Sequence, residues 1–382
     1  MQRTRFDRAD GRYVLFYSFD RPPPTVLAIE EQRRGEGRIE LRHNELLGEA
    51  VIVSTGRQER TFLPPAEYCP LCPTAGVDAF PTEIPAASYE IAVFENRFPS
   101  FRPDAPAVAD DGPLARRSPA RGACEVVLYA PQHEATLASL GAKHVRRLVD
   151  VWADRYAELG ARPEVEYVFV FENRGKEIGV TLTHPHGQIY AFPYVPPRVE
   201  QEERAAKDYY GEAASCLQCD LLAMEREDGR RVLAEAGGWL AYVPFAARMP
   251  YEVHLAPAAH RASLLDLTEA ERDGLAVALR RLQATYDALW GFVMPYTMSM
   301  HQQPTGGHER PFDHLHIEFL PPYRTRDKLK YLAGVETGAG TFINDTAPEE
   351  TAAELRMVWQ HVSATEGERP TLAGRARRRR NR

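Results

Sequence analysis

His184 and His186 are the residues whose types and spacing could best do chemistry in this chain. They lie one residue apart in the segment His184-Pro185-His186-Gly187-Gln188. The proline favours an extended backbone, and residues i and i+2 of an extended chain point to the same side. One imidazole can therefore bind a metal ion while its neighbour attacks a substrate. Gly187 is expected to admit a ligand close to the backbone, and Gln188 supplies an amide donor and acceptor.

Four of the five cysteines form two C-x-x-C pairs, and two candidate histidine ligands follow each pair in the same order. In a cytosolic chain this spacing indicates metal binding or redox chemistry before a structural disulfide. Zinc prefers four Cys and His ligands in a tetrahedron. The first predicted set is Cys69, Cys72, His133 and His184, and the second is Cys216, Cys219, His260 and His314.

The second set leaves alternatives open, because His254 and His301 are competing ligands in the same part of the chain. Buried free thiols are the other interpretation of both cysteine pairs. Cys124 precedes a strand-like run and is most simply a thiol of the core.

Similar patterns in the two halves predict an internal duplication. Each half runs from a C-x-x-C pair through strands and a long amphipathic helix to a His-x-His sequence, with the helices expected at 136–159 and 263–289. His133 and His184 are 51 residues apart, and His260 and His314 are 54 apart. This repeat is too long for a solenoid. We therefore expect an α+β fold, in which two histidine-triad-like halves form one mostly antiparallel sheet flanked by helices.

The expected boundaries follow the repeat. They are residues 1–192 for the half with the nucleophile and the first zinc site, 193–214 for a polar connection, 215–364 for the half with the second metal site, and 365–382 for a basic disordered tail.

Composition limits the classes of partner. With 382 residues and 44% hydrophobic residues, the chain is long enough for a large core. Its net charge of −7 gives no overall attraction to nucleic acid or anionic lipid. No apolar run approaches the ~18 residues that span a bilayer, and no signal-peptide core follows Met1. We expect a cytoplasmic protein without nucleic-acid or membrane partners.

Phosphorus chemistry is the use that best fits a free His186. A neutral ring nitrogen can attack phosphorus, and the charge that develops on the phosphoryl oxygens needs donors such as Gln188. Arg57 and Arg60 are the first-half arginines best suited to phosphate. The turn at 173–176 is a second phosphate contact or, equally well, an ordinary hairpin turn.

The pentapeptide, together with Cys69-x-x-Cys72 and His133, resembles the galactose-1-phosphate uridylyltransferase family of the histidine-triad superfamily. The resemblance extends from about Leu41 to about Glu354. Further matching segments are residues 53–60, 93–99, 171–175 and 327–336.

This resemblance implies a double displacement. His186 would attack the α-phosphorus of UDP-glucose, and galactose 1-phosphate would then take the uridylyl group. Gln188 would bind the phosphoryl oxygens of the intermediate. The other implied substrate-binding residues are Arg57, Arg60, Asn173 and Thr181 for phosphate, Asn96 for the nucleotide, and Lys330, in a segment that reaches the partner's site in a homodimer.

The resemblance also leaves the second-half metal open. Some members bind iron through one Glu and three His, a set that Glu202, His301, His314 and His316 could supply. Alignment on Pro321-Pro322 moves the last two ligands to His316 and Glu318. Those members lack the second C-x-x-C pair, so we favour a second zinc ion.

Two other functions compete with the leading interpretation. Residues 338–344 resemble the C-terminal segment of ADP-glucose phosphorylase, which shares the nucleophile and the two-zinc layout. An adenylyl transferase on this scaffold is therefore the main alternative. A catalytically silent zinc-stapled binding module is the third, and His186 beside Gln188 argues against it. Ile317-Glu318 follows His316 where Gly187-Gln188 follows His186, so we expect one nucleophile per chain.

Overall fold

The structure is a computed structural model that describes residues 1–28, 33–76, 78–306 and 310–368. The strands of these residues are β1 (Gln2–Asp7), β2 (Tyr13–Ser18), β3 (Ile39–Asn44), β4 (Glu49–Ser54), β5 (Ile91–Glu95), β6 (Arg117–Pro119), β7 (Ala123–Leu128), β8 (Tyr167–Arg174), β9 (His186–Phe192), β10 (Val232–Ala236), β11 (Trp239–Tyr242), β12 (Val253–Pro257), β13 (Tyr296–His301), β14 (His316–Leu320), β15 (Tyr323–Thr325) and β16 (Lys328–Leu329). The α-helices are α1 (Ala142–Gly160), α2 (Pro197–Ala213), α3 (Leu217–Asp228), α4 (Glu269–Trp290), α5 (Gly334–Ala339) and α6 (Pro348–Glu368).

Eleven strands form one sheet in the order β1-β2-β5-β7-β9-β8-β13-β14-β12-β11-β10. Every neighbouring pair in it is antiparallel. A small sheet, β4-β3-β6, and the β15-β16 hairpin lie outside it. The predicted α+β fold with one mostly antiparallel sheet is confirmed.

The sheet contains two strand quartets that mirror each other about the β8·β13 pair. The quartet β5-β7-β9-β8 ends with the strand that follows α1, and β11-β12-β14-β13 ends with the strand that follows α4. At the centre Glu172 pairs with Met298 and Val170 with Met300. The helices α1 and α4 pack against each other, and one core cluster includes residues from both quartets. The backbone ladder and the core therefore both cross from one half to the other.

Both long helices begin later than their apolar spacing predicts. Leu137 is buried, but residues 136–140 form turns, in which the Thr136 and Ser139 side chains bond the local backbone. In the second half the Ser263 side chain donates to Asp266, and α4 starts only after the capping box of Thr268. Leucines in these turns face the core without being helical, which is why the periodicity extended too far.

Several elements were not predicted from the sequence. The connection at 193–214 contains α2, whose Val199 is buried. Strand β2 is buried along its whole length, and α6 closes the described part of the chain. The first four residues of the predicted basic tail, 365–368, belong to α6, and the rest of that tail lies outside the described residues. Within the described residues, no helix has the length and apolar character needed to cross a membrane.

Candidate active site and metal centres

The ring of His186 is held by the backbone two residues before it. His186 Nδ1 lies 2.7 Å from the carbonyl oxygen of His184. A carbonyl oxygen only accepts hydrogen bonds, so Nδ1 carries the proton and Nε2 has none. Burial lowers the pKa of His186, and nearby Arg60 acts in the same direction. The imidazole is therefore neutral, with one nitrogen free to attack an electrophile.

The first predicted zinc set comes together beside this histidine. The ligand atoms of Cys69, Cys72, His133 and His184 all lie within 4.8 Å of one another. Cys72 Sγ is 3.3 Å from His133 Nδ1 and 3.5 Å from His184 Nδ1. Tetrahedral zinc with normal bond lengths requires about 3.5 Å between sulfur and nitrogen. His184 Nε2 donates to the carbonyl oxygen of Ala130 at 2.9 Å, which leaves Nδ1 as the ligand atom.

The ionisation of this set fits a site for a cation. Burial and the neighbouring Cys69 raise the pKa of Cys72 to about 12. Burial lowers the pKa of His184 to about 4, so its ring is neutral. Two adjacent thiolates form here only if a positive charge lies between them, and neutral imidazoles complete such a site. The residues therefore fit a zinc ion.

The second predicted zinc set has the same construction. Cys216, Cys219, His260 and His314 have ligand atoms within 4.8 Å of one another. Cys219 Sγ lies 3.4 Å from His314 Nδ1 and 3.6 Å from His260 Nδ1. His314 Nε2 donates to the carbonyl oxygen of Pro257 at 3.1 Å, as His184 does to Ala130. Each half thus contains one Cys2His2 set.

A third set joins α2 of the connection to the second half and does not share His314. Glu202, His301, His316 and Glu318 have ligand atoms within 4.8 Å of one another. Glu202 Oε2 is 2.7 Å from His301 Nδ1, and the His301 and His316 rings stack at 4.8 Å. The sequence left two alternatives for the second-half metal, and the structure places them at two separate sites. Glu318, and not His314, is the fourth member of the site that contains Glu202. His254 does not join the cysteines, because it bonds Glu252 at 2.8 Å.

Glu318 differs from the other members because two arginines hold it. Arg198 and Arg248 each lie 2.8 Å from one of its oxygens. Burial would raise the pKa of Glu318, but His301, His254 and Arg198 lower it to about 2. This carboxylate is therefore charged and already compensated by cations.

One cavity of about 330 Å³ collects most of the predicted substrate-binding residues. Its lining includes His186, Gln188, Arg57, Arg60, Asn96, Asn173 and Thr181. These seven residues come from five parts of the chain: the turn after β4, the residue after β5, the end of β8, the segment between β8 and β9, and the start of β9.

The two arginines form the cationic side of this cavity. Arg57 Nη1 lies 3.1 Å from Ser100 Oγ and 3.2 Å from the Tyr190 hydroxyl. Burial lowers the pKa of Arg60, and Arg57 acts in the same direction. Two positive groups that repel each other at a half-buried position favour binding of an anion such as phosphate.

Other residues of the cavity lining could contact a nucleoside. Asn96 Oδ1 accepts from the Phe98 backbone at 2.9 Å, so its amide NH2 is the group left for a ligand. Sequence reasoning missed the apolar lining, which includes Leu71, Phe94, Phe98, Val126 and Leu182. Phe94 and Val126 lie on β5 and β7, and the other three lie in loops. Nothing in the sequence separates an apolar residue that faces a ligand from one that faces other side chains.

Lys330 lies elsewhere. Its Nζ is 3.1 Å from Glu336 Oε1 and 3.5 Å from Asp345 Oδ2, and the residue does not line this chain's cavity. Its predicted contact with a partner's substrate stays a prediction.

Gly187 does not line the cavity either, contrary to the expectation that it admits a ligand. Its open side faces Tyr129, whose hydroxyl oxygen would lie 2.5 Å from a Cβ built at Gly187.

Known proteins are similar to this chain in both sequence and fold. It is 43% identical to a galactose-1-phosphate uridylyltransferase of Thermotoga maritima, over 83% of this chain and 98% of that protein. A galactose-1-phosphate uridylyltransferase of Streptomyces lividans is 38% identical over 94% of this chain and 98% of that protein.

Solved structures of related proteins have the same fold. A uridylyltransferase structure superposes with a TM-score of 0.75 at 35% identity, covering 84% of this chain and 99% of that one. An ADP-glucose phosphorylase of Arabidopsis thaliana, with bound ADP-glucose, has a TM-score of 0.62 at 22% identity and covers 83% of this chain and 98% of that one. At that identity it shows a shared fold.

Family models cover nearly the whole chain. The model for the N-terminal domain of galactose-1-phosphate uridyl transferase matches residues 31–196, and the model for the C-terminal domain matches residues 202–366. With the cavity and histidine geometry described above, these matches show that the chain belongs to the galactose-1-phosphate uridyl transferase family.

Proposed function

We propose that this protein exchanges a uridylyl group between UDP-glucose and galactose 1-phosphate through a covalent intermediate on His186. The observation that carries the proposal is the neutral His186 ring, whose Nδ1 is bonded to the backbone, in a cavity that also contains Arg57 and Arg60. The chain is 43% identical to the galactose-1-phosphate uridylyltransferase of Thermotoga maritima, and this identity supports the choice of substrates.

The chemistry follows from which nitrogen is free. In the first step Nε2 forms a bond to the α-phosphorus of UDP-glucose, and the bond from that phosphorus to the bridging oxygen breaks. The electron pair leaves with glucose 1-phosphate. In the second step a phosphate oxygen of galactose 1-phosphate attacks the same phosphorus, and the nitrogen–phosphorus bond breaks to give UDP-galactose. His186 returns to its starting form.

The neighbouring side chains would stabilise charge rather than move protons. Gln188 can donate to a phosphoryl oxygen, but an amide is neither a general acid nor a general base. The intermediate should therefore survive until a sugar phosphate accepts the nucleotide. Arg57 and Arg60 would counter the phosphate charge, and Asn173 and Thr181 would add neutral donors.

The Cys2His2 sets would hold zinc, which is the cofactor we propose for both. Zinc bound there supplies a rigid tie between the cysteine-bearing segment and the strands of each half. His184 would then be fixed at both ring nitrogens. The reduced thiols that such sites need are those of a cytoplasmic protein. The set of Glu202, His301, His316 and Glu318 is a further site, for which iron is the candidate metal.

We also propose a homodimer in which Lys330 reaches the partner's cavity. Lys330 does not line the cavity of its own chain, and it belongs to a segment with exposed apolar side chains. Tyr331 is 76% exposed and Leu332 is 50% exposed. Exposed apolar patches of this kind mark interaction surfaces. A monomer in light scattering at full activity would exclude this arrangement.

An adenylyl transferase or phosphorylase remains the second candidate, because the ADP-glucose phosphorylase of Arabidopsis thaliana shares the fold. The test is to incubate the protein separately with UDP-glucose and ADP-glucose that carry ³²P at the α-phosphorus. We expect acid-labile label on the wild-type protein from UDP-glucose, and none on His186→Gly. Label from ADP-glucose alone would favour the alternative. If neither UDP-glucose nor ADP-glucose labelled a protein that still binds UDP, a covalent mechanism would be refuted.

A further inference from the structure

Gly187 separates the nucleophile from Gln188, and it points away from them. His186 and Gln188 line the cavity, whereas Gly187, the residue between them on β9, faces the opposite side of the sheet. Gly187 is not among the residues with positive φ. The glycine is therefore needed for space rather than for an unusual backbone conformation. A glycine inside a strand weakens the strand, and it often marks a position where another group approaches the backbone closely.

The group that approaches Gly187 is the hydroxyl of Tyr129. A Cβ at Gly187 would lie 2.5 Å from this oxygen and 3.2 Å from two ring carbons of the same tyrosine. If this oxygen were at the end of a flexible side chain, it would move aside, but Tyr129 is held in place. Tyr129 is only 1% exposed, and its ring packs edge-on against Trp152 with the centroids 6.2 Å apart.

The hydroxyl is also fixed by a buried carboxyl group. Tyr129 donates to Glu172 Oε2 at 3.0 Å, and Tyr296 donates to Glu172 Oε1 at 3.2 Å. Gln283 in turn donates to the Tyr296 hydroxyl at 2.7 Å. This chain of bonds starts at the end of β7, passes through β8 and ends on β13 and α4, so Tyr129 is braced by elements of both halves.

We propose that Tyr129 is a positioning residue, whose braced hydroxyl sets where the backbone of Gly187 lies and therefore where His186 and Gln188 meet the substrate. The inference rests on the proposed function. A methyl group at Gly187 would push β9 rather than the tyrosine, and both cavity side chains would move with the strand. In-line attack on phosphorus is sensitive to such a shift, because misplacement by about 1 Å can reduce a rate by as much as a hundredfold.

The test is a double-mutant cycle on Gly187→Ala and Tyr129→Phe, read as the rate of label transfer from UDP-glucose to the protein. We expect Gly187→Ala to slow this step at least tenfold, on the order allowed by such a misplacement, with the dissociation constant of UDP changed less than about threefold. Tyr129→Phe alone should slow label transfer severalfold, because the hydroxyl that supports Gly187 and its bond to Glu172 are both lost. The double variant should recover most of the loss, because the atom in closest conflict is gone.

Gly211→Ala is the matched control, since nothing lies within 4 Å of a Cβ built there, and it should leave the rate unchanged. Melting temperature and zinc content are measured on every variant. If Gly187→Ala does not fold, Tyr296→Phe replaces it. This variant removes one brace without adding volume, and it should slow label transfer severalfold while UDP binding is kept.

A Gly187→Ala enzyme with normal rates would overturn the proposal, and so would a double variant as slow as Gly187→Ala alone. In the Tyr296→Phe version, an unchanged rate has the same meaning. Failure of the wild-type protein to take label from either UDP-glucose or ADP-glucose is a different result. It would refute the proposed function itself and would be seen before any variant is made.

Discussion

The Nδ1 atom of His186 lies 2.7 Å from the backbone carbonyl oxygen of His184. One residue of the first zinc set therefore decides which ring nitrogen of the neighbouring histidine is free. The ring of the same His184 is bonded to the carbonyl oxygen of Ala130 and lies beside Cys72. The metal set and the nucleophile are therefore coupled through three residues of one chain segment.

Replacement of Cys72 by Ser should remove the first zinc ion and slow the reaction. We expect bound zinc, measured by mass spectrometry of the purified protein, to fall from two ions per chain to one. Label transfer to His186 should fall more than tenfold, on the order of a misplaced reacting group. Cys124→Ser is the control, because Cys124 is buried away from both sets and should keep two zinc ions. Equal zinc contents in the two variants would contradict the assignment.

Replacement of Gln188 by His should convert part of the transfer into hydrolysis. The new imidazole can act as a general base on water, which glutamine cannot. We expect the labelled intermediate of Gln188→His to decay faster without acceptor and to release free UMP. The measurement is the half-life of the labelled protein. A half-life as long as that of the wild type would show that the amide is not what protects the intermediate.

Replacement of Arg60 by Ala should weaken use of UDP-glucose. A charge-assisted bond to phosphate is worth about 1.5–3 kcal/mol, so kcat/KM should fall by roughly one to two orders of magnitude. Arg60→Lys should recover only part, since lysine lacks the planar pair of donors. Arg42→Ala, on the exposed face of β3, is the control and should match the wild type. An Arg60→Ala enzyme with normal kcat/KM would remove Arg60 from the phosphate site.

The stability of the protein should depend on pH through Glu172. Burial raises the pKa of Glu172 from 4.5 to about 7, although Arg174 and the two tyrosine donors oppose the change. Between these values the folded chain keeps a proton that the unfolded chain has lost. Stability should therefore fall as pH rises from about 4.5 to 7, by about 3 kcal/mol for a shift of this size.

Glu172→Gln should remove this dependence, because it imitates the protonated form at every pH. Urea unfolding of wild type and variant at several pH values measures the difference. The exposed Glu227→Gln on α3 should follow the wild-type profile. A Glu172→Gln protein whose stability falls with pH as steeply as the wild type would contradict the assignment.

Replacement of Glu202 by Gln should lower the metal content without loss of zinc. Glu202 lies 2.7 Å from His301 and is separate from the cysteines of the second half. After growth with iron, we expect wild-type protein to hold iron in addition to zinc and Glu202→Gln to hold zinc alone. Iron contents that do not differ would exclude this set as the iron site.

The sheet could be predicted from the sequence because the duplicated order of strands, helix and His-x-His recurs with similar spacing. The two Cys2His2 sets follow from the same repeat, since each joins local segments of one half. The set around Glu202 could not be placed in this way. Glu202 and His301 are 99 residues apart, and they meet because α2 crosses the second half, a path that no periodicity predicts.

The division at 192 and 215 stays a prediction, and so does Lys330. Tyr129 illustrates a different limit. Its apolar neighbours mark it as a core residue, and only the 2.5 Å approach to Gly187 shows a further use. A glycine beside two histidines suggests ligand access when only the sequence is known. The side of the strand to which it points decides between ligand and core.

The β8·β13 pair has a consequence for how the chain can be divided. Asn173 lies on β8, and its backbone faces Thr297 of β13 across the boundary between the halves. A fragment that stops before residue 215 would leave β8 as an open edge, with unpaired backbone groups that attract other strands. Such a fragment should aggregate even if its own zinc set is intact. If the second half supplies no nucleophile, as its sequence predicts, it would still be needed, because it covers the open edge of the first half.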